Sequence, residues 1–371
     1  MTINKTLHEQ GLEILESAKG FSGKRAELLV NVAQLYFFNH LKIQASNISS
    51  PEVPSYFALV LQGGGVKGLA YIGAIKELNN YYSFNWFVGT SAGAITSALL
   101  AADIDLEKIE EIIINKNFIS FIEVNPFRIL SNIVRKGALW SGDKVENFIN
   151  EIISTHLNIT YNSRFKDLKH RLTVYTSKRG SKGQKFETYT TPEKEVSYSI
   201  KSSMAIPFIF AKQSDDGYDL YDGGIQNNYP ARIFREENPD QKFIGLFLGN
   251  DKYKPKKKKG NAISNIISIW LNGSDNEALR NFKDETIIIN PEPITTLNFY
   301  LTAKSKEHLL NCGKLAAKKY LIKKSLLEEN LSNLEDSILN TRNQIKKRKL
   351  LYRILSFIII TIVVTIIYFF I

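Results

Sequence analysis

The chain of 371 residues has a single cysteine, Cys312, so no disulfide can form within it. That usage fits a reducing compartment. Its first residues, "MTINKTLHEQGLEILESAK", carry charge throughout and lack the apolar run of a secretory signal. Histidine is scarce: His8, His40, His156, His170 and His308 are scattered and form no group with the cysteine, so no metal site is expected. There are no internal repeats. Acidic residues are in deficit, 37 against 48 Lys and Arg, for a net charge of +11. Much of the excess lies in "KYKPKKKK" (Lys252–Lys259) and in "KKRK" (Lys346–Lys349), with Arg353 just beyond. These clusters are compact and lie outside the patterned segments, unlike the basic and aromatic face of a nucleic-acid binder, so no nucleic-acid partner is expected. The first reads as a solvated loop insertion, with an anionic membrane surface as the rival reading.

Long uncharged runs are also nearly absent. The composition is 44% apolar and 23% charged, and the mean hydropathy of −0.16 excludes a multi-span membrane protein. The exception is "ILSFIIITIVVTIIYFFI", Ile354–Ile371, 18 residues without a charge. As a helix it would span about 27 Å, close to the ~30 Å hydrocarbon core. It reads as a C-terminal transmembrane anchor, with Tyr368 and two phenylalanines near the far interface. The basic cluster just before it places the rest of the chain in the cytoplasm.

Four segments are expected. Residues 1–56 form an N-terminal helical extension that contains "RAELLVNVAQLYFFNHL" and ends in the linker "NISSPEVPS". Residues 57–320 alternate strand and helix. Strands are expected at "YFALVLQ", "FNWFVG", "RLTVYTS", "KFETYTT" and "KFIGLFLG", with helices over Val66–Leu78 and Ala92–Ala102. That alternation predicts an α/β domain with a largely parallel sheet. Over 321–353, Leu327, Leu331, Leu334, Ile338, Thr341 and Ile345 step by four and three. This is either a coiled-coil seam that would support a homo-oligomer, or an amphipathic helix packed on its own domain or on a membrane. Both readings give a helical stalk leading into the anchor at 354–371.

In "LVLQGGGVKGLAY", Gly63, Gly65 and Gly68 match G-x-G-x-x-G, a dinucleotide-binding pattern when set between strand and helix. That reading needs an acidic residue at the end of the second strand for the ribose. The second strand ends instead in Gly89, Thr90 and Ser91, so no dinucleotide cofactor is expected. "GTSAG", Gly89–Gly93, is G-x-S-x-G: a serine on a tight strand-to-helix turn, with glycines where Cβ atoms would clash. The following helix aims its positive end at the same point. A serine nucleophile needs a base. Ser91, Asp222 and His308 follow the chain order of an α/β-hydrolase triad, but His308 sits in a helical pattern rather than on a loop. Asp222, in "LYDGGIQNNYP", follows a short apolar run and precedes Gly223 and Gly224; taken alone this is an ordinary turn.

"GGGVKG", "GTSAG" and "DGG", in this order, resemble the patatin-like phospholipases. "KSSMAIPFIF" and "LNFYLTAKSKEHLLNCGKLAAKKYL" add to the likeness, which covers about residues 57–320. The resemblance implies a three-layer α/β/α domain and a Ser–Asp dyad without histidine or cofactor. Ser91 would be the nucleophile, Asp222 the base, and Gly63, Gly64 and Gly65 the oxyanion hole. Lys67 stands where the family often has arginine, so the charge is kept and the planar fork lost. The implied activity is that of a membrane-tethered acyl hydrolase of phospholipase A or lysophospholipase type, acting on a phospholipid or another acyl lipid. The alternative is a catalytically inactive, membrane-anchored interaction protein on the same scaffold.

Overall fold

The computed structural model describes residues 7–20, 29, 30, 32, 33, 56–181, 183–249 and 275–370, with no side chain described beyond residue 351. The chain divides into two units, Met1–Ser55 and Tyr56–Ile371. Of the first, helix α1 (Leu7–Ala18) is described. The linker, most of the apolar stretch before it and the cluster Lys252–Lys259 lie outside the described residues.

The second unit begins with β1 (Phe57–Leu61), whose glycine loop leads through a 3-10 turn (Gly65–Leu69) into α2 (Ala70–Leu78). Then come β2 (Phe84–Thr90), α3 (Ala92–Ala101), α4 (Leu106–Asn115) and α5 (Pro126–Lys136). After β3 (Ala138–Trp140) and α6 (Asp143–Leu157), the chain returns as β4 (Arg171–Lys178) and β5 (Gln184–Glu187). Next are α7 (Val196–Ser203), β6 (Phe208–Phe210), β7 (Gln213–Asp215), β8 (Tyr218–Asp222), α8 (Gly224–Asn227) and α9 (Ala231–Glu237). β9 (Phe243–Leu248), α10 (Asp275–Asn281), β10 (Thr286–Ile289), α11 (Ala303–Lys323) and α12 (Ser332–Phe370) complete the unit.

The main sheet runs β10-β9-β1-β2-β4-β8-β7, with β5 also on β4. From β10 to β4 all pairs are parallel; β5, β8 and β7 are antiparallel additions at one side. Alternation along the strands makes two cores. Leu59, Leu61, Phe87 and Ile244 face one side, under α2, α3, α6 and α11. Ala58, Val60, Trp86 and Phe243 face the other, under α9 and α10. Helices cover both faces, as a mostly parallel sheet requires.

α12 differs from a free stalk. Leu331, Ile338 and Ile345 are buried, and Ile338 and Ile345 join the main core with Leu327 and Leu334 packed against it. Arg342 Nε and Lys349 Nζ donate to the carbonyls of Glu292 and Pro293. The periodic stripe is thus used on the chain's own domain. Among the described residues no helix is long and apolar enough to cross a membrane. The anchor expected at Ile354–Ile371 lies outside the residues whose side chains are described.

Candidate active site

Strand register brings the short motifs together. Thr90 of β2 pairs with Tyr175 of β4, and the next residue of β4, Thr176, pairs with Asp222 of β8. Ser91 and Asp222 therefore emerge at the same level, where the parallel strands end and α/β sheets bind their ligands. Ser91 has φ 51° and ψ −118°, a strained conformation for a residue with a side chain. A Cβ on Gly89 would come 2.4 Å from the carbonyl carbon of Gly93, and one on Gly93 would come 2.4 Å from the Leu61 carbonyl oxygen. The turn can close this tightly only with glycine at both places. Its backbone is held from below: Ser91 N donates to Ser203 Oγ at 2.8 Å, and Ser203 Oγ donates to the Tyr175 carbonyl at 2.6 Å.

Asp222 is buried at the end of β8. Its Oδ1 accepts from Gly224 N at 2.6 Å, while Oδ2 has no hydrogen-bond partner among the described residues. Burial pushes its pKa up to about 7; the Gly224 N–H and the Ser91 side chain pull the other way. Strand register sets Ser91 beside this carboxyl, with no Ser91–Asp222 hydrogen bond formed. Such contacts are often long before substrate binds. Gly223 allows the close approach, since a Cβ there would meet the Tyr175 carbonyl oxygen at 2.3 Å.

The glycine loop needs one correction. Gly63 N donates to the Asn228 carbonyl at 2.9 Å, so this N–H is committed to holding the loop and is not offered to an oxyanion. The N–H groups of Gly64 and Gly65 make no hydrogen bond among the described residues. Gly65 has φ +56° and lines the cavity above Ser91.

Lys67 does not line that cavity. Its charge interacts with Asp275, a buried acid that the sequence reading missed. Burial lowers the Lys67 pKa to about 8, opposed by Asp275. Burial likewise raises Asp275 to about 6, opposed by its hydrogen bonds and by Lys67. Asp275 Oδ2 accepts from Gln62 Nε2 at 2.5 Å and Asn228 Nδ2 at 2.9 Å, and Oδ1 accepts from Tyr229 N at 2.8 Å. It therefore fastens the glycine loop to the segment after "DGG". The contact spans 213 positions from Gln62, so no local signal marks it.

His308 is buried in α11 with Nε2 2.7 Å from the Glu292 carbonyl, and it does not line the Ser91 cavity. Burial lowers its pKa, as expected of a neutral packing histidine. Among the described residues no cluster of acids, histidines or cysteine could hold a metal ion.

Over Ser91 opens a cavity of about 930 Å³, its mouth included, walled by α3, α4, α6 and the segment around Leu297 and Phe299. Apart from Ser91, Thr96 and Lys116, every side chain lining it is apolar or belongs to glycine. Lys116 Nζ lies 4.1 Å from the centre of the Phe148 ring. Ile95, Leu99, Phe121, Phe148, Ile152 and Phe210 give a wall suited to a hydrocarbon chain and offering few polar contacts.

A family model described as patatin-like phospholipase matches residues 59–235. An uncharacterized protein of Acanthamoeba polyphaga mimivirus is 29% identical over 284 residues, covering 71% of this chain and 93% of that protein. A probable lipid hydrolase of Invertebrate iridescent virus 6 is 25% identical over 284 residues, covering 75% of this chain and 92% of its own length. The solved structure of VipD from Legionella pneumophila aligns with a TM-score of 0.46 at 18% identity, covering 73% of this chain and 67% of that one. Residues 59–235, which hold the glycine loop, Ser91 and Asp222, are thus similar to the patatin-like phospholipases.

Proposed function

We propose that the protein is a serine acyl hydrolase of phospholipase A or lysophospholipase type, working through a Ser91–Asp222 dyad. The observation that carries this is the buried Asp222 carboxyl, one oxygen held by Gly224 and the other without a partner beside Ser91, under an apolar cavity. Asp222 Oδ2 takes the hydroxyl proton as Ser91 Oγ attacks the acyl carbonyl. The developing oxyanion meets the N–H groups of Gly64 and Gly65 and the N-terminus of α3 at Ala92. Collapse expels the alcohol, which receives the proton from Asp222, and leaves an acyl-serine. Water then attacks, again losing a proton to Asp222, and the fatty acid departs as Ser91 Oγ takes that proton back from Asp222. The acyl chain lies along Ile95, Leu99, Phe148 and Ile152. A relative described as a probable lipid hydrolase supports the choice of a lipid ester.

In the same reading the uncharged run Ile354–Ile371 tethers the domain to the cytoplasmic face of a membrane, next to its substrate. The support is the sequence: length, lack of charge, and the basic residues before it.

The test is release of fatty acid from phospholipid vesicles by the full chain. Ser91→Ala and Asp222→Ala are each expected to lower kcat by roughly a thousandfold or more. A fluorophosphonate should label Ser91 in the native chain. An unlabelled, inactive native protein would overturn the reading and favour an inert scaffold. Full activity in Asp222→Ala would remove the dyad.

A further inference from the structure

Helix α5 is mounted with its apolar side toward solvent. Asn125 caps it by accepting from Phe127 N and Arg128 N, Pro126 occupies the first turn, and Gly137 closes it with φ 65°. Yet none of its 11 residues is buried. Phe127 is 82% exposed, Val134 77% and Leu130 60%. On a helical projection these three share one side with Ile133, while Arg128, Ser131 and Arg135 lie on the next stripe round. The side turned to the domain is marked by Asn132, whose Nδ2 donates to the Leu139 carbonyl at 3.1 Å. An isolated helix of this length is marginal in water. This one is well capped, but among the described residues its apolar face meets nothing in its own domain.

The helix adjoins elements that border the substrate cavity. Gly137 leads directly into β3, where Ala138 pairs with Phe208 and Trp140 with Phe210 of β6. The Trp140 ring lies 5.4 Å from Phe210 and 5.6 Å from Phe299, both of which line the Ser91 cavity. Their chain neighbours Phe208 and Tyr300 are 60% and 65% exposed. The cavity lining is thus joined through Trp140 to β3, which follows α5 in the chain, and exposed aromatic residues stand beside it.

Charge points to the occupant. α5 carries Arg128, Arg135 and Lys136 and no acid. Glu123 pairs with Arg128, and Asp143 stands 3.9 Å from Lys136; Arg135 has no acidic partner among the described residues. An apolar stripe bordered by cations is the pattern of a helix that lies in a lipid interface.

We propose that α5 docks on an anionic phospholipid surface, laying Phe127, Leu130 and Val134 among the acyl chains and seating the mouth of the Ser91 cavity on the bilayer. The inference rests on the acyl-hydrolase reading for its purpose, though not for its test. Arg135 would meet lipid phosphates, and a phospholipid acyl chain would reach Ser91 without crossing water.

The native chain has only Cys312, which is buried, so a single cysteine can carry a polarity-sensitive dye. In full-length Ser91→Ala protein, dye on Val134→Cys should shift to the blue and brighten severalfold on vesicles of phosphatidylcholine with phosphatidylglycerol. Dye on Ser131→Cys, on the polar stripe, should not, even if the chain is tethered elsewhere. Equal responses at 131 and 134 would overturn the proposal. So would a Val134→Glu protein that changes from dimer to monomer in sedimentation, since the patch would then be covered by a second copy. In Ser91-containing protein, Phe127→Ser with Val134→Glu should lower vesicle hydrolysis on the order of tenfold or more, because two apolar anchors are lost. Hydrolysis of a short, water-soluble ester needs no surface and should be unchanged; an equal loss on both substrates would overturn the docking role. If the native chain hydrolyses neither, the enzymatic reading fails while the dye on residue 134 still decides the docking.

Discussion

At the scale of the residue, Asp222 sets the chemistry. A carboxylate at its ordinary pKa is too weak a base to draw a proton from serine efficiently. Burial at the end of β8 raises it to about 7, so the group is both ionised and basic near neutrality. Activity needs the ionised form. The kcat/KM for a soluble ester should therefore rise with pH through about 7 and level off above it; a limb near 4 would show an ordinary exposed acid instead. Stability runs the other way. The folded state holds this proton more tightly than the unfolded chain, so the contribution of Asp222 falls as pH rises from about 4 to about 7 and stays low above. Asp222→Asn removes that dependence. The melting temperature of the native protein minus that of Asp222→Asn should fall between about pH 4 and about pH 7. Asp275 also titrates in this region, but it is common to both proteins and cancels in the difference.

At the scale of the element, the turns are more legible than the strands that flank them. The glycine loop and the serine turn announce themselves because each needs particular residues at fixed spacing: a Cβ at Gly89 or Gly93 has no room. β1, β2, β4 and β9 are apolar runs, easily read from sequence. β3, β6 and β7 have three residues each and no visible period, and they exist because a neighbour supplies their hydrogen bonds. The expected strand "KFETYTT" is cut short at Glu187, where Thr191 Oγ1 folds back onto Glu187 N and starts a turn. Ser203 was equally hidden, as its partner Ser91 is 112 positions away. Its loss can be foreseen now. Ser203→Ala leaves Ser91 N and the Tyr175 carbonyl without their partner in a buried place, which should cost about 1–3 kcal/mol in chemical denaturation. Because the strained serine turn loses its support, kcat should fall more than KM changes. A drop in stability with kcat intact would show that the hydroxyl only packs.

At the scale of the whole molecule, the sequence shows a stripe of aliphatic residues after 321 but not what meets it. A stripe stepping by four and three is the same whether it pairs with another chain, a membrane or its own domain. The structure resolves this for α12: Ile338 and Ile345 complete the main core, and Arg342 ties the helix to the Asn290–Glu292 segment. The helix is therefore part of the fold as far as Ile345 at least, and the proposed tether is the uncharged run beyond it. Two truncations separate them. Ending the chain at residue 353 should leave thermal stability and soluble-ester hydrolysis intact and release the protein from membranes into the supernatant. Ending it at residue 330 should expose the core surface under α12 and aggregate or unfold the domain. Single replacements calibrate the second effect: Ile338→Ala should cost roughly 2–4 kcal/mol, as for a buried aliphatic side chain. If the chain ending at 353 still sediments with membranes, the run Ile354–Ile371 is not the tether, and α5 becomes the first place to look for one, since its exposed Phe127 and Val134 lie well before the cut.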